Sequence, residues 1–192
     1  MMESKDPARR LSHPGSFGRR DFLRLGAAAA TTLLASPVFA SAASPEERKL
    51  GFYNTHTGES AAAIYWAEGD YVSDGLVEIN NLLRDHRADE IYPIDTNLLD
   101  MLFLLQSKTG SRQAYEVISG YRSPATNQAL RNKSSGVAKR SFHMRGKAID
   151  VRLPDCELKK LRLAALDLQM GGVGYYPNSD FIHVDVGPTR HW

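Results

Sequence analysis

The sequence predicts one α+β domain behind an export leader: a small central antiparallel sheet flanked by helices. Three observations carry that expectation. Short apolar runs with a two-residue period are interspersed with longer runs of helical period. The two kinds follow no regular β-α-β rhythm, which argues against a doubly wound sheet. The 192 residues, 42% hydrophobic and 9% aromatic, suffice for a single globular core.

The leader comes first. Residues 1–18 are polar, and Arg19-Arg20-Asp21-Phe22-Leu23-Arg24 then precedes an alanine-rich apolar run at 25–40. Such a run is short for a membrane span. A charged start, a brief apolar stretch and a small-residue exit describe an export signal. The paired arginines followed by Phe-Leu point to the twin-arginine route and hence to the periplasm. Cleavage is expected after Ala40, Ala42 or Ala43, giving a signal at 1–43 and a domain at 44–192. With no cysteine near that exit, no lipid or other stable membrane anchor is expected after cleavage. The lone cysteine, Cys156, allows neither an intramolecular disulfide nor a multi-cysteine zinc module.

Charge needs the same division. The whole chain has 24 basic and 22 acidic side chains, a net +2. Residues 1–43 carry six of the basic and three of the acidic ones, leaving 18 against 19, a net −1. Neither value gives a field for gripping nucleic acid, so that class of partner is excluded. One local bias survives: residues 122–147 hold seven basic side chains and no acidic one.

The elements follow in order. Residues 51–54 and 61–66 flank a Thr57-Gly58 turn and are expected to pair as a hairpin. Ser73 or Asp74 is the expected cap of a helix whose Leu76, Val77, Ile79, Leu82 and Leu83 share one face. Asp95 is the expected cap of a second helix, with Leu98, Leu99, Met101, Leu102 and Leu105 inward and Gly110 ending it. Residues 117–119 read as a short strand. Ser123-Pro124, a cap and a first-turn proline, open a helix to about Asn132. Residues 147–153 and 181–186 read as strands. Between them lies a leucine-rich helix at 155–170, closed by Gly171-Gly172.

Chemistry concentrates in the last two strands. In 181–186, Ile182, Val184 and Val186 face one way, and His183 and Asp185 the other. In 147–153, Ile149 and Val151 face the core, and Asp150 faces away with Ala148 and Arg152. Neighbouring strands would present Asp150 and His183 together, and His143, before a glycine turn, can fold over the same place. Two imidazoles and one carboxylate suit zinc better than calcium or magnesium. Three protein ligands leave a fourth position for water, as in catalytic zinc sites. A base must take the water proton, and Asp180 and Asp185 are the carboxylates near His183. Spacing does not choose between them, and Asp185 equally suits orienting a histidine ring. Arg122 offers a guanidinium fork for a substrate carboxylate or carbonyl. A lone histidine is more often structural, which is the expectation for His13, His56, His86 and His191.

These motifs have a familial look. Ser141-Phe142-His143 with Gly146, Ala148 and Asp150, followed by His183, resembles the zinc D-alanyl-D-alanine peptidases of LAS type. Ser119-Gly120-Tyr121-Arg122-Ser123 matches their upstream motif. The resemblance extends to the MepK-like murein endopeptidases in 52–59, in Leu83-Arg84-Asp85-His86-Arg87, in 171–177 and in Trp192, nearly the whole domain. The resemblance implies the Hedgehog/D-Ala-D-Ala peptidase-like fold, one zinc per chain on His143, Asp150 and His183, and Arg122 on the substrate. It implies peptidoglycan peptide stems as substrate, with a D-alanyl–diaminopimelate cross-link as the expected bond and a direct diaminopimelate–diaminopimelate cross-link as the alternative. Many relatives carry a catalytic Glu three residues before the last histidine; this chain has the shorter Asp180. A D-alanyl-D-alanine carboxypeptidase, a non-catalytic zinc or cell-wall peptide-binding domain and a non-haem iron oxygenase are the competing readings. Nothing in the sequence sets the oligomeric state.

Overall fold

A computed structural model describes residues 47–134 and 136–192. The expected signal at 1–43 lies outside the described residues. Among those described, no helix is long and apolar enough to cross a membrane.

The hairpin forms as expected. β1 (Arg48–Asn54) pairs antiparallel with β2 (Ser60–Ala67). Alternation buries Leu50 and Phe52 of β1 and Ala63 and Tyr65 of β2. A two-residue β3 (Asp70–Tyr71) extends the edge. The next helix, α1 (Ser73–Leu82), departs from expectation at its start. Its cap is Val72, without a side-chain cap bond, because the Val72 N–H donates to the Tyr65 carbonyl and the chain is still extended there. The buried face of α1 is Gly75, Ile79 and Leu82, and Val77 is 67% exposed rather than inward. Gly75 sets that rotation: a Cβ there would collide with the Ile64 carbonyl, so the helix rests directly on the β2 backbone.

The other helix signals are used as read. Asp95 caps α2 (Thr96–Thr109) by accepting from the Asn97 N–H, and Gly110 closes it at φ 73°. Leu98, Leu99, Met101, Leu102 and Leu105 are all buried, each contributing about 1.5–3 kcal/mol of apolar burial. After β4 (Tyr115–Ser119), Ser123 caps α3 (Pro124–Lys133). A short 3-10 turn at Phe142–Arg145 leads into β5 (Ala148–Arg152). The helix expected at 155–170 is shorter: α4 spans Leu158–Leu168 and ends at Gln169 in the left-handed region. β6 (Gly172–Tyr176), β7 (Phe181–Asp185) and β8 (Arg190–His191) complete the chain.

The sheet corrects the expectation of a small antiparallel one. It has eight strands in the order β3-β2-β1-β4-β5-β7-β6-β8. Two joins are parallel, β1 with β4 and β6 with β8. The long connection through α1 and α2 lets β4 return alongside β1 in the same direction. One continuous core joins Leu50, Phe52, Val117, Ile149, Val151, Ile182 and Val184 to the apolar faces of α1, α2 and α4. The parity of β5 and β7 is as read: aliphatic residues enter that core, and Asp150 and His183 stand on the other face.

The Gly75 contact is directly testable. Gly75→Ala is expected to destabilise the fold by about 1–3 kcal/mol through overpacking. A urea titration should show a lower midpoint at unchanged slope.

Candidate metal centre

Two interlocked turns and two adjacent strands build the site. A Cβ at Gly120 would strike the Leu83 carbonyl, so the 120–123 turn sits hard against the end of α1. The Tyr121 N–H donates to that carbonyl at 2.8 Å. Asp85, 1% exposed, accepts from the Ser123 N–H at 2.9 Å and ties the same turn down. The 3-10 turn bearing His143 ends at Gly146 with φ 63°. It docks on the first turn through the Arg122 N–H, which donates to the His143 carbonyl at 3.2 Å. In the sheet, Asp150 of β5 lies directly opposite His183 of β7.

These placements bring three donors together. His143 Nε2 is 3.3 Å from Asp150 Oδ1 and 3.2 Å from His183 Nδ1. His183 Nδ1 is 2.8 Å from the same carboxylate oxygen. A tetrahedral zinc ion with bonds of about 2.0–2.2 Å holds its ligand atoms about 3.3 Å apart, so the three fit one ion. Two nitrogens and an oxygen are also the donor set zinc accepts. The outward atoms fix which lone pairs point inward. The Gly120 carbonyl, 2.7 Å from His143 Nδ1, only accepts, so Nδ1 carries the proton and Nε2 is free for a metal. Asp185 Oδ2, 2.9 Å from His183 Nε2, does the same for the second ring. Arg122 Nη2 donates to Asp150 Oδ2 at 3.0 Å and leaves Oδ1 to the cluster.

Electrostatics follows from burial. Full burial lowers the pKa of His143, which keeps its ring neutral and ready to ligate. Burial also opposes a charge on His183, but Asp150 and Asp185 outweigh it and raise its pKa. Burial alone would raise the Asp150 pKa; His143 and His183 instead hold it well below the carboxylate range. A raised His183 pKa means that its proton must leave when a metal enters. Metal binding is therefore expected to strengthen as pH rises through the His183 titration.

The two candidate bases are placed elsewhere. Asp180, at φ 54° after a tight 3-10 turn, directs its exposed carboxylate to Arg152 Nη1 at 2.9 Å. Arg152 also holds Glu116, and these residues line a separate cleft with Cys156. The structure thus does not bring Asp180 to the three ligands. Asp185 is completely buried. It accepts from Arg190 at 2.6 and 3.0 Å and from the Gly187 N–H at 2.8 Å, besides facing His183. With His183 and Arg190 beside it, its carboxyl stays well below the usual range despite burial. Its geometry is that of a support for the His183 ring, not of a base in the cleft.

A cleft of about 610 Å³ opens over the cluster. Arg122, Arg140, Ser141 and Phe142 contribute to its lining, as do Tyr176, Phe181, Arg190 and Trp192. Among the described lining residues, Asp150 has the one carboxylate side chain. Sequence reasoning assigned no role to Arg190, Tyr176 or Trp192 in this wall. Trp192 reaches it because a Cβ at Gly174 would overlap its ring; the indole lies 5.3 Å from the His183 ring and donates to Tyr176 Oη at 2.8 Å. The glycine was the available signal. His56 and His86, expected to be structural, stack on each other at 4.6 Å.

The site yields a set of expected variants. His143→Ala and His183→Ala should each lose bound zinc by metal analysis. Asp185→Asn should keep the fold but weaken zinc binding about 10–100-fold, measured by competition with a chelator. Asp180→Ala should retain zinc and most of the turnover; a large loss of kcat at full zinc would restore it as the base.

Comparison of the sequence with known proteins shows the family. The family model described as Peptidoglycan L,D-endopeptidase MepK matches residues 42–192. Peptidoglycan L,D-endopeptidase MepK of Escherichia coli (strain K12) is 45% identical over 175 residues, 91% of this chain and 96% of that protein. Probable peptidoglycan L,D-endopeptidase MepK of Haemophilus influenzae is 41% identical over 176 residues, 91% and 95% of the two chains. The chain belongs to the MepK family of peptidases.

Proposed function

We propose that the protein is a zinc-dependent peptidoglycan endopeptidase of the periplasm that hydrolyses the direct diaminopimelate–diaminopimelate cross-link. One observation carries the chemistry: two histidines and an aspartate converge, lone pairs inward, at the floor of an open cleft. The relatives' names support the bond. A D-alanyl–diaminopimelate link joins two D centres, whereas the direct link joins an L centre to a D centre. An L,D-endopeptidase therefore favours the direct link, the second of the two expected from resemblance. Family membership speaks against the iron-oxygenase reading.

Zinc held by His143, Asp150 and His183 would supply a water activated near neutral pH and a Lewis acid for the scissile carbonyl. The chain's own residues prepare that chemistry. The Gly120 carbonyl and Asp185 hold both rings in the ligating tautomer. Arg122, anchored by Ser119 Oγ and Asp150 Oδ2, keeps its remaining N–H groups for the oxygen on which negative charge develops. Tyr176 and Trp192 close one side of the cleft and shield the reacting bond from bulk water.

Digestion of murein by zinc-loaded and by chelated protein tests the reading, with fragments identified by mass. The expected result is zinc-dependent loss of diaminopimelate-linked dimers, with no free D-alanine. Release of D-alanine from pentapeptide stems would indicate a carboxypeptidase, and intact dimers a binding domain. Export rests on the Arg19-Arg20 signal. Arg19→Lys combined with Arg20→Lys is expected to leave the precursor in the cytoplasm, seen by cell fractionation.

A further inference from the structure

The basic run at 122–147 is resolved by the structure into separate roles. Arg122 is held by Ser119 and Asp150. Lys147 pairs with Asp95, Arg131 bonds Gln128, and Arg145 lies over the Phe142 ring. Lys133 and Lys139 are exposed and stand outside the cleft wall. Arg140 is also exposed but differs in its place. It lines the cleft, and its side chain has no hydrogen bond, ion pair or ring contact with any described residue.

The rest of the cleft leaves that charge uncompensated. Arg190 is neutralised by Asp185 and covered by the Phe142 and Trp192 rings. Asp150 has one oxygen against Arg122 and the other against the two histidines. No other side-chain carboxylate lines the described wall. An arginine at a cleft wall without a protein partner is available to an anion, and its planar fork matches a carboxylate.

The substrate brings such a group. The nitrogen of the scissile amide sits on a D centre that also carries a carboxylate. That carboxylate is three covalent bonds from the scissile carbon, within about 4 Å, so it enters the cleft with the bond. We infer that Arg140 binds the free carboxylate of the residue that supplies the scissile nitrogen. The inference rests on the endopeptidase reading above and gives that site its selectivity. A stem whose carboxylate is amidated presents no anion and is a poor substrate.

The test uses zinc-loaded wild type, Arg140→Gln and Arg140→Lys. The probes are muropeptides with a free or an amidated carboxylate on the D centre of diaminopimelate. Calorimetric binding of the monomeric disaccharide tripeptide is measured first, then turnover of the cross-linked dimer. Wild type is expected to bind the free form ten- to a hundredfold more tightly than the amidated form, the range of a charge-assisted contact. Arg140→Gln should lose that preference at unchanged zinc content, with the turnover defect mainly in KM. Arg140→Lys should recover part of it. Equal affinity of wild type and Arg140→Gln for the free form overturns the inference. Absence of dimer turnover by wild type counts against the endopeptidase reading alone, because the binding comparison still decides Arg140.

Discussion

The antiparallel register between β5 and β7 is the constraint on which the rest of the site depends. It sets Asp150 directly across from His183 while Ile149, Val151, Ile182 and Val184 fill the core behind them. A slip of one residue would turn every one of these side chains to the opposite face. The aliphatic burial that stabilises the sheet therefore also fixes the Asp150–His183 pair. Register and metal geometry are one property seen from two faces of the same strands.

Burying three titratable groups together is costly unless each is paired. The molecule meets this with partners that are themselves fixed. Asp150 is matched by Arg122, whose backbone N–H donates to the His143 carbonyl, so the arginine ties Asp150 to the turn that bears His143. His143 leans on the Gly120 carbonyl and His183 on Asp185. Asp185 is in turn enclosed by Arg190 and the Gly187 N–H. Its burial is possible because Gly171 and Gly172 bring the end of the α4 connection against it where any Cβ would collide. Glycines expected simply to stop a helix thus make room for the support of a ligand.

Much of this was legible in the residues themselves. The two-residue period of β5 and β7, the Asp95 and Ser123 caps, the Gly110 terminator and the His143, Asp150 and His183 set are local patterns. Each follows from the reach of a side chain to its own or a nearby backbone, or from alternation along one strand. Spacing could not choose between Asp180 and Asp185 as base: it places Asp180 three residues before His183, but the left-handed backbone at that residue directs its carboxylate to Arg152. Val77 falls on the apolar face by periodicity alone and is turned outward by the contact of Gly75 with β2.

By itself the sequence determined the leader-like charge and hydropathy pattern, the kinds of element, the faces of the strands and the residues of the His143, Asp150 and His183 cluster. Composition and local periodicity are enough for those. The tertiary structure alone decided that the described sheet has eight strands with two parallel joins, that Asp185 supports the His183 ring, and that Trp192 and Arg190 wall the cleft. It also decided which one of seven clustered cations faces that cleft without a partner. These are outcomes of long-range pairing, in which residues far apart in the chain compete for the same neighbours, and no local pattern encodes the winner.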